Sequence, residues 1–141
     1  MRARPGCRPP SSAGLPSKVA EANNKVVVNL ATGLEDAERV TVAFLLAGAA
    51  VTQGKPAVMF LTKDAVRLAL RDVAQGVACD GCPPLERLFE QYTSGGGELI
   101  VCPYCFNARK LDENDLVPNA RIGGATPLLE WIGDGATVFS Y

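Results

Sequence analysis

Two Cys-x-x-Cys pairs, Cys79-Asp80-Gly81-Cys82 and Cys102-Pro103-Tyr104-Cys105, stand nineteen residues apart in a chain of 141 residues that contains no histidine. Sulfur offers soft, easily ionised chemistry, and this spacing suits two uses of it. Four thiolates can close a tetrahedral shell around zinc, and a Cys-Pro-x-Cys that opens a helix presents a thiol for redox or sulfur-carrying work. The missing histidine removes Cys-His catalytic pairs, mixed cysteine–histidine zinc sites and histidine-based metal catalysis. Zinc held by Cys79, Cys82, Cys102 and Cys105 would therefore be structural, because four thiolates leave no open position for a substrate.

Cys82 and Cys102 each directly precede a proline that opens a predicted helix. In that N-cap-like position, free backbone N–H groups and the helix dipole favour a thiolate over a thiol. A thiolate is both a better nucleophile and a readier ligand. Cys102 thus stands open as a functional nucleophile, a zinc ligand or an inert buried thiol, and Cys79 and Cys82 as zinc ligands or a redox partner.

The elements that must position these groups follow from the apolar pattern. Strands are expected over 25–31, 56–62, 98–101, 121–123 and 136–140, and helices over 35–53, 63–75, 83–93, 103–111 and 127–132. Gly54 and Gly76 close the first two helices, and Pro83 occupies the first helical position of the third, where a missing N–H costs nothing. Such alternation predicts an α/β fold with a five-stranded, mostly parallel sheet covered by helices on both faces. Reactive groups in such sheets lie beyond the carboxyl ends of the strands. The helix from Pro83 and the strand ending at Cys102 have nearly equal lengths, roughly 17 to 20 Å, and should run antiparallel. All four paired cysteines are then expected at one edge of the sheet.

That edge should also carry Asn29, Thr32 and Gly33 after the first strand and Thr62 after the second, where helix N-termini hold small anions. Helix capping accounts equally for the two threonines. Arg109 lies seven positions beyond Cys102, within reach of a thiolate or an anionic persulfide, and within reach of a surface ion pair with Asp112 or Glu113.

Composition sets the outer limits. The length suits one domain that folds without a metal or disulfide staple. A formal charge of -1 and a pI near 5.4 supply no basic field, which argues against nucleic acid as a partner. The longest apolar run, 42–51, is too short to cross a bilayer, so no membrane role is expected. Residues 1–24 carry Arg2, Arg4 and Arg8 among Pro and Ser without the apolar stretch of a secretory signal; they read as a disordered extension, with Cys7 an incidental thiol and residues 25–141 the folded domain. The setting is read as the reducing cytoplasm, where paired cysteines bind metal or do redox work. The alanine-rich helix over 40–51 is apolar on more than one face, which points to subunit packing.

Cys-Pro-Tyr-Cys resembles the active-site motif of glutaredoxins, but there the motif follows the first strand, whereas here only 36 residues come after Cys105. A wider resemblance covers about Val26 to Tyr141. Thr32-Gly33 before an alanine-rich helix, Phe60-Leu61-Thr62-Lys63-Asp64-Ala65-Val66-Arg67-Leu68, Pro84-Leu85-Glu86-Arg87-Leu88, Cys102-Pro103-x-Cys105 with Arg109, and a closing Val138-Phe139-Ser140-Tyr141 resemble, in order and spacing, the DsrE/DsrF-like family of small sulfur-relay proteins. The resemblance implies a flavodoxin-like three-layer α/β/α sandwich assembling into trimers or hexamers. It also implies a sulfur carrier or sulfurtransferase in which Cys102, at the position matching the family's persulfide-bearing cysteine, exchanges sulfur with donor and acceptor proteins. Cys105, Cys79 and Cys82 depart from the relay subunits. Cys105 is assigned as the resolving thiol, and a non-catalytic scaffold with a four-cysteine zinc site is the alternative.

Overall fold

A computed structural model describes residues 24–141, so all of the expected N-terminal extension except Asn24 lies outside the described residues. Five short apolar runs form β1 (Val26–Leu30), β2 (Ala57–Leu61), β3 (Glu98–Val101), β4 (Ala120–Ile122) and β5 (Thr137–Ser140). They pair in the order β4-β3-β2-β1-β5, every pair parallel, with Val28 opposite both Met59 and Phe139. The three central strands are buried on both sides, which is why they read as continuous apolar runs without alternation.

The helices are α1 (Ala37–Thr52), α2 (Leu85–Ser94), α3 (Pro103–Ala108) and α4 (Ala125–Ile132). Val28, Leu30, Met59, Leu61, Leu99 and Val101 share one core with α1, α2, α3 and the 3-10 segment Lys63–Ala69. In α1 the buried Val40, Ala43, Phe44, Ala47 and Val51 recur at helical spacing, and small Ala43 and Ala47 let the helix lie close to the sheet. Phe44 stacks on Phe89 at 5.3 Å and meets Tyr92 edge-on at 6.1 Å, locking α1 to α2. Tyr92 is fully buried, and its hydroxyl donates to the Glu98 carbonyl at 2.6 Å with the Ala57 carbonyl 3.3 Å away, a polar tie between α2 and two strands. Burial pushes this phenol well above its ordinary pKa.

Val27, Val58 and Ile100 point to the other face and are equally buried. A Cβ on Gly123 would lie 3.3 Å from Ile100 and 3.2 Å from Pro127, which places α4 on this second face. The direction of the β4-to-β5 crossover requires it, since right-handed connections running the opposite way along a sheet deliver their helix to the opposite side. Lys25 closes the C-terminal end of α4 by donating to the Trp131 carbonyl at 2.8 Å, with its ammonium 5.5 Å from the indole centroid. The three-layer α/β/α architecture is thus present, with one helix among the described residues in its third layer.

The strands lie within a residue or two of their expected bounds, and the helices differ more. The expected helix over 63–75 is a 3-10 segment that stops at Ala69, because Leu70 leaves to form an antiparallel bridge with Leu116 and Asp72 takes a φ of +68°. Asp36 accepts from the Arg39 N–H at 3.0 Å and so starts α1 at Ala37. Pro84 stands at the N-cap of α2, leaving Pro83 outside the helix. Lys110, with a φ of +53°, ends α3 before Leu111.

Candidate functional site

The carboxyl ends of β1, β2 and β3 are held in line by backbone hydrogen bonds that outlast the strands. Thr62 N–H donates to Leu30 O and Cys102 N–H donates to Leu61 O, each at 3.0 Å. Cys102 stands where the ladder ends and α3 begins, with φ -60° and ψ 120°, and Pro103 as the first helical residue. Phe106 N–H donates to Cys102 O at 3.0 Å, and the Phe106 ring is buried in the core, so the first turn of α3 is fixed at both its backbone and its side chain. Cys102 and Cys105 are free thiols, each half-buried and packed against the core. The intervening Tyr104 is 84% exposed, so it contributes nothing to shielding them. The Cys102 sulfur makes no capping bond to α3.

Arg109 braces this turn from below. Its Nη1 donates to the Cys105 carbonyl at 3.2 Å and its Nε to Asp64 Oδ1 at 3.1 Å. The expected partner for an ion pair was Asp112 or Glu113; the observed one comes from the end of β2, forty-five positions away. Asp64 also accepts from Arg67 Nε at 2.9 Å. The Arg67 hydrogen bond is the main cause holding the Asp64 carboxyl below the usual carboxylate range, with Arg109 adding to it and partial desolvation opposing it.

The residues proposed to cradle an anion fall differently. Gly33 does lie beyond β1, but its N–H is met by both oxygens of Glu35 at 3.0 Å, so a carboxylate of the chain itself fills that position. Gly33 also touches the loop after β2: a Cβ there would lie 2.8 Å from Asp64 O and 2.9 Å from Asp64 Oδ2. Thr32 is buried beside it, and Thr62 is half-buried and makes no side-chain cap. Asn29 lies inside β1, opposite Phe60 and Ser140, on the face away from Val28 and Leu30.

Cys79 and Cys82 are joined as a disulfide with Cα atoms 5.2 Å apart. Cys79 lies against Thr41, early in α1, the helix that follows β1, whereas Cys102 follows β3. The first pair thus sits in the connection between the 3-10 segment and α2, against α1, and the second at the start of α3. Among the described residues no group of three or more Cys, Asp or Glu side chains stands where one metal ion could be held, so the four sulfurs, though their chemistry suits zinc, are not gathered around one point.

Three residues that matter here escaped the sequence reading: Asp64, Glu35 and Thr41. A charged residue three positions past the end of a strand is a usable signal for Asp64, and an acidic residue two beyond the glycine that follows a strand for Glu35. Thr41 carried no signal, being one polar residue in an apolar helix.

No helix among the described residues is long and apolar enough to cross a membrane. Residues 24–141 match the model of the DsrE/DsrF-like family. The chain is 26% identical over 114 residues to "Uncharacterized protein MJ0760" of Methanocaldococcus jannaschii, a match that takes in 81% of this chain and 41% of that protein, so it spans about two fifths of that relative's length. Among solved structures, the ychN protein from E. coli superimposes with a TM-score of 0.68 at 21% identity, covering 84% of this chain and 99% of that one. MTH1491 from Methanobacterium thermoautotrophicum superimposes with a TM-score of 0.60 at 14% identity, covering 83% and 98%. The structural likenesses carry the fold, the family model carries the descent, and together they establish that this chain belongs to the DsrE/DsrF-like family.

Proposed function

We propose that the protein is a cytoplasmic sulfur carrier, or sulfurtransferase, in which Cys102 bears a persulfide and Cys105 resolves it. The observation that carries this reading is the pair of free, half-buried thiols at the carboxyl end of β3, one helical turn apart and braced by Phe106 and Arg109. In the first step the Cys102 thiolate attacks the outer sulfur of a donor persulfide, forming Cys102–S–SH and releasing the donor as a thiolate. Two exits follow. An acceptor thiolate takes the outer sulfur and regenerates Cys102, or the Cys105 thiolate attacks the Cys102 sulfur, forming a Cys102–Cys105 disulfide and expelling hydrosulfide. Donor and acceptor are proteins or small persulfides docking at the carboxyl edge of the sheet.

Assembly into trimers or hexamers belongs to the same proposal. It is supported by apolar side chains left uncovered in one protomer: Val138 and Phe139 on the edge strand β5, Leu129 on α4, and Val42 and Leu45 on α1.

The deciding experiment is to incubate reduced protein with a persulfide donor, remove the donor, and measure cyanide-releasable sulfur and the mass of the intact chain. The expected result is one sulfur atom taken up per chain, retained or released as hydrosulfide, and no uptake in Cys102→Ser. Cys105→Ser should load normally but release no hydrosulfide. Loading that survives Cys102→Ser would sink the assignment.

A further inference from the structure

The carrier chemistry uses Cys102 and Cys105 and leaves the other pair without a role. Cys79-Asp80-Gly81-Cys82 is a tight turn in its own right: the Cys82 N–H donates to Cys79 O at 3.0 Å, and Gly81 supplies the left-handed residue at φ +75°. This turn sets the two cysteines side by side, with Cα atoms 5.2 Å apart. The turn is exposed at Asp80 and Gly81, and the Cys82 sulfur lies on that side, 3.8 Å from Asp80 O. The Cys79 sulfur faces inward, 3.8 Å from the hydroxyl of Thr41.

Thr41 supplies a second, independent observation. It is fully buried, and its hydroxyl donates to Ala37 O at 2.7 Å. A hydroxyl has one proton to give and two lone pairs. With the proton committed to Ala37, a buried lone pair faces Cys79. Against a disulfide sulfur that lone pair receives nothing; against a thiol it accepts the S–H. Rotated away from Ala37, the same hydroxyl donates to a Cys79 thiolate. The pocket is built to serve the reduced pair as well as the oxidised one.

We propose that Cys79 and Cys82 form a second thiol–disulfide exchange site, separate from Cys102, that accepts two electrons from a dithiol reductant in solution. A thiolate of the reductant attacks the accessible Cys82 sulfur. The Cys79–Cys82 bond breaks, a mixed disulfide forms on Cys82, and Cys79 leaves as a thiolate held by the Thr41 hydroxyl. The second thiolate of the reductant attacks its own sulfur in the mixed disulfide and expels Cys82. The reductant ends as a disulfide, and its two protons end on Cys79 and Cys82. Oxidation runs the same steps backwards.

The test uses the full chain carrying Cys7→Ser, Cys102→Ser and Cys105→Ser, in which Cys79 and Cys82 are the remaining cysteines. The protein is equilibrated in graded mixtures of reduced and oxidised dithiothreitol, quenched with an alkylating agent and weighed intact. The expected result is a reversible change between no labelled thiol and two, gained and lost together, with unchanged circular dichroism. Thr41→Val should slow reduction about tenfold, the loss of one hydrogen bond to an anion, while Thr41→Ser keeps the rate. Two thiols labelled at every ratio, reduction only on unfolding, or a Thr41→Val rate equal to the parent would each overturn the proposal. So would reduction seen in the wild-type chain and lost in the triple variant, because the electrons would then come from Cys102 and Cys105. Should the triple variant fold poorly, mapping of the alkylated 79–82 peptide in wild-type protein gives the same readout. Sulfur loading at Cys102 is measured separately, so either reading can fail while the other stands.

Discussion

Replacing Gly33 by alanine isolates the contact that binds the strand-end loops together. The added Cβ would lie 2.8 Å from Asp64 O, 2.9 Å from Asp64 C and 2.9 Å from Asp64 Oδ2. Two of these atoms are backbone, so no rotation of the Asp64 side chain clears them. Asp64 is itself tethered to Arg67 and Arg109, so the loop yields only by straining those bonds. Overpacking of this kind costs about 1–3 kcal/mol. The backbone at Gly33 is extended, at φ -102° and ψ -152°, so alanine recovers ~0.4–1 kcal/mol of unfolded-state entropy. The net expectation is a loss of about 1–2 kcal/mol. Urea unfolding of wild type, Gly33→Ala, Asp64→Ala and the double variant measures it. Asp64→Ala alone should cost no more than about 1 kcal/mol, as half-exposed ion pairs do. It should leave most of the Gly33→Ala penalty in place, because it removes one of the three obstructing atoms. A Gly33→Ala protein as stable as wild type would refute the close approach, and a penalty erased by Asp64→Ala would refute the backbone as its cause.

Four further outcomes are expected. Asp64 has a folded pKa below its ordinary value of 3.8, so its stabilisation is complete above that pH and is lost as pH falls through the folded value; acid unfolding of Asp64→Asn, followed by circular dichroism, should lack that part of the transition. Tyr92→Phe leaves the Glu98 carbonyl without its donor and should cost about 1 kcal/mol in urea. Because the raised Tyr92 pKa lets only the unfolded chain ionise above pH 10.0, wild type should also lose stability there in a way that Tyr92→Phe does not. Val138→Glu, on the exposed edge strand, should lower the sedimenting mass toward that of a monomer with no change in secondary structure; an unchanged assembly would place the interface elsewhere.

The strands were legible because a buried parallel strand is a short apolar run, and β3 was read to the residue. The helix over 63–75 was not, because its apolar positions suit a helix locally while a distant residue, Leu116, draws Leu70 away. The same division runs through the site. Cys102 and Cys105 were placed by a local rule, a strand running into a proline-initiated helix, and that rule held. Arg109 was identified but given a neighbouring partner, since nothing in the sequence points across to Asp64. Gly33 looked like a ligand position, and two forces act there instead: Glu35 occupies its amide and Asp64 leaves no room for a side chain. The proximity within each Cys-x-x-Cys was legible from spacing, whereas the contact of Cys79 with Thr41 was not.

The strand order also fixes a sequence of events in folding. β1 pairs with β2 across one nearby crossover, but its other neighbour is β5, so that Val26 meets Thr137 only after nearly the whole domain has been traversed. Closing so long a loop is slow compared with forming the β1-β2-β3 series. During that interval one side of β1 is an open, apolar edge able to capture a foreign strand. Pulsed hydrogen exchange should find the amides of β2 and β3 protected before those of Thr137–Ser140, and the danger of aggregation should be confined to that delay.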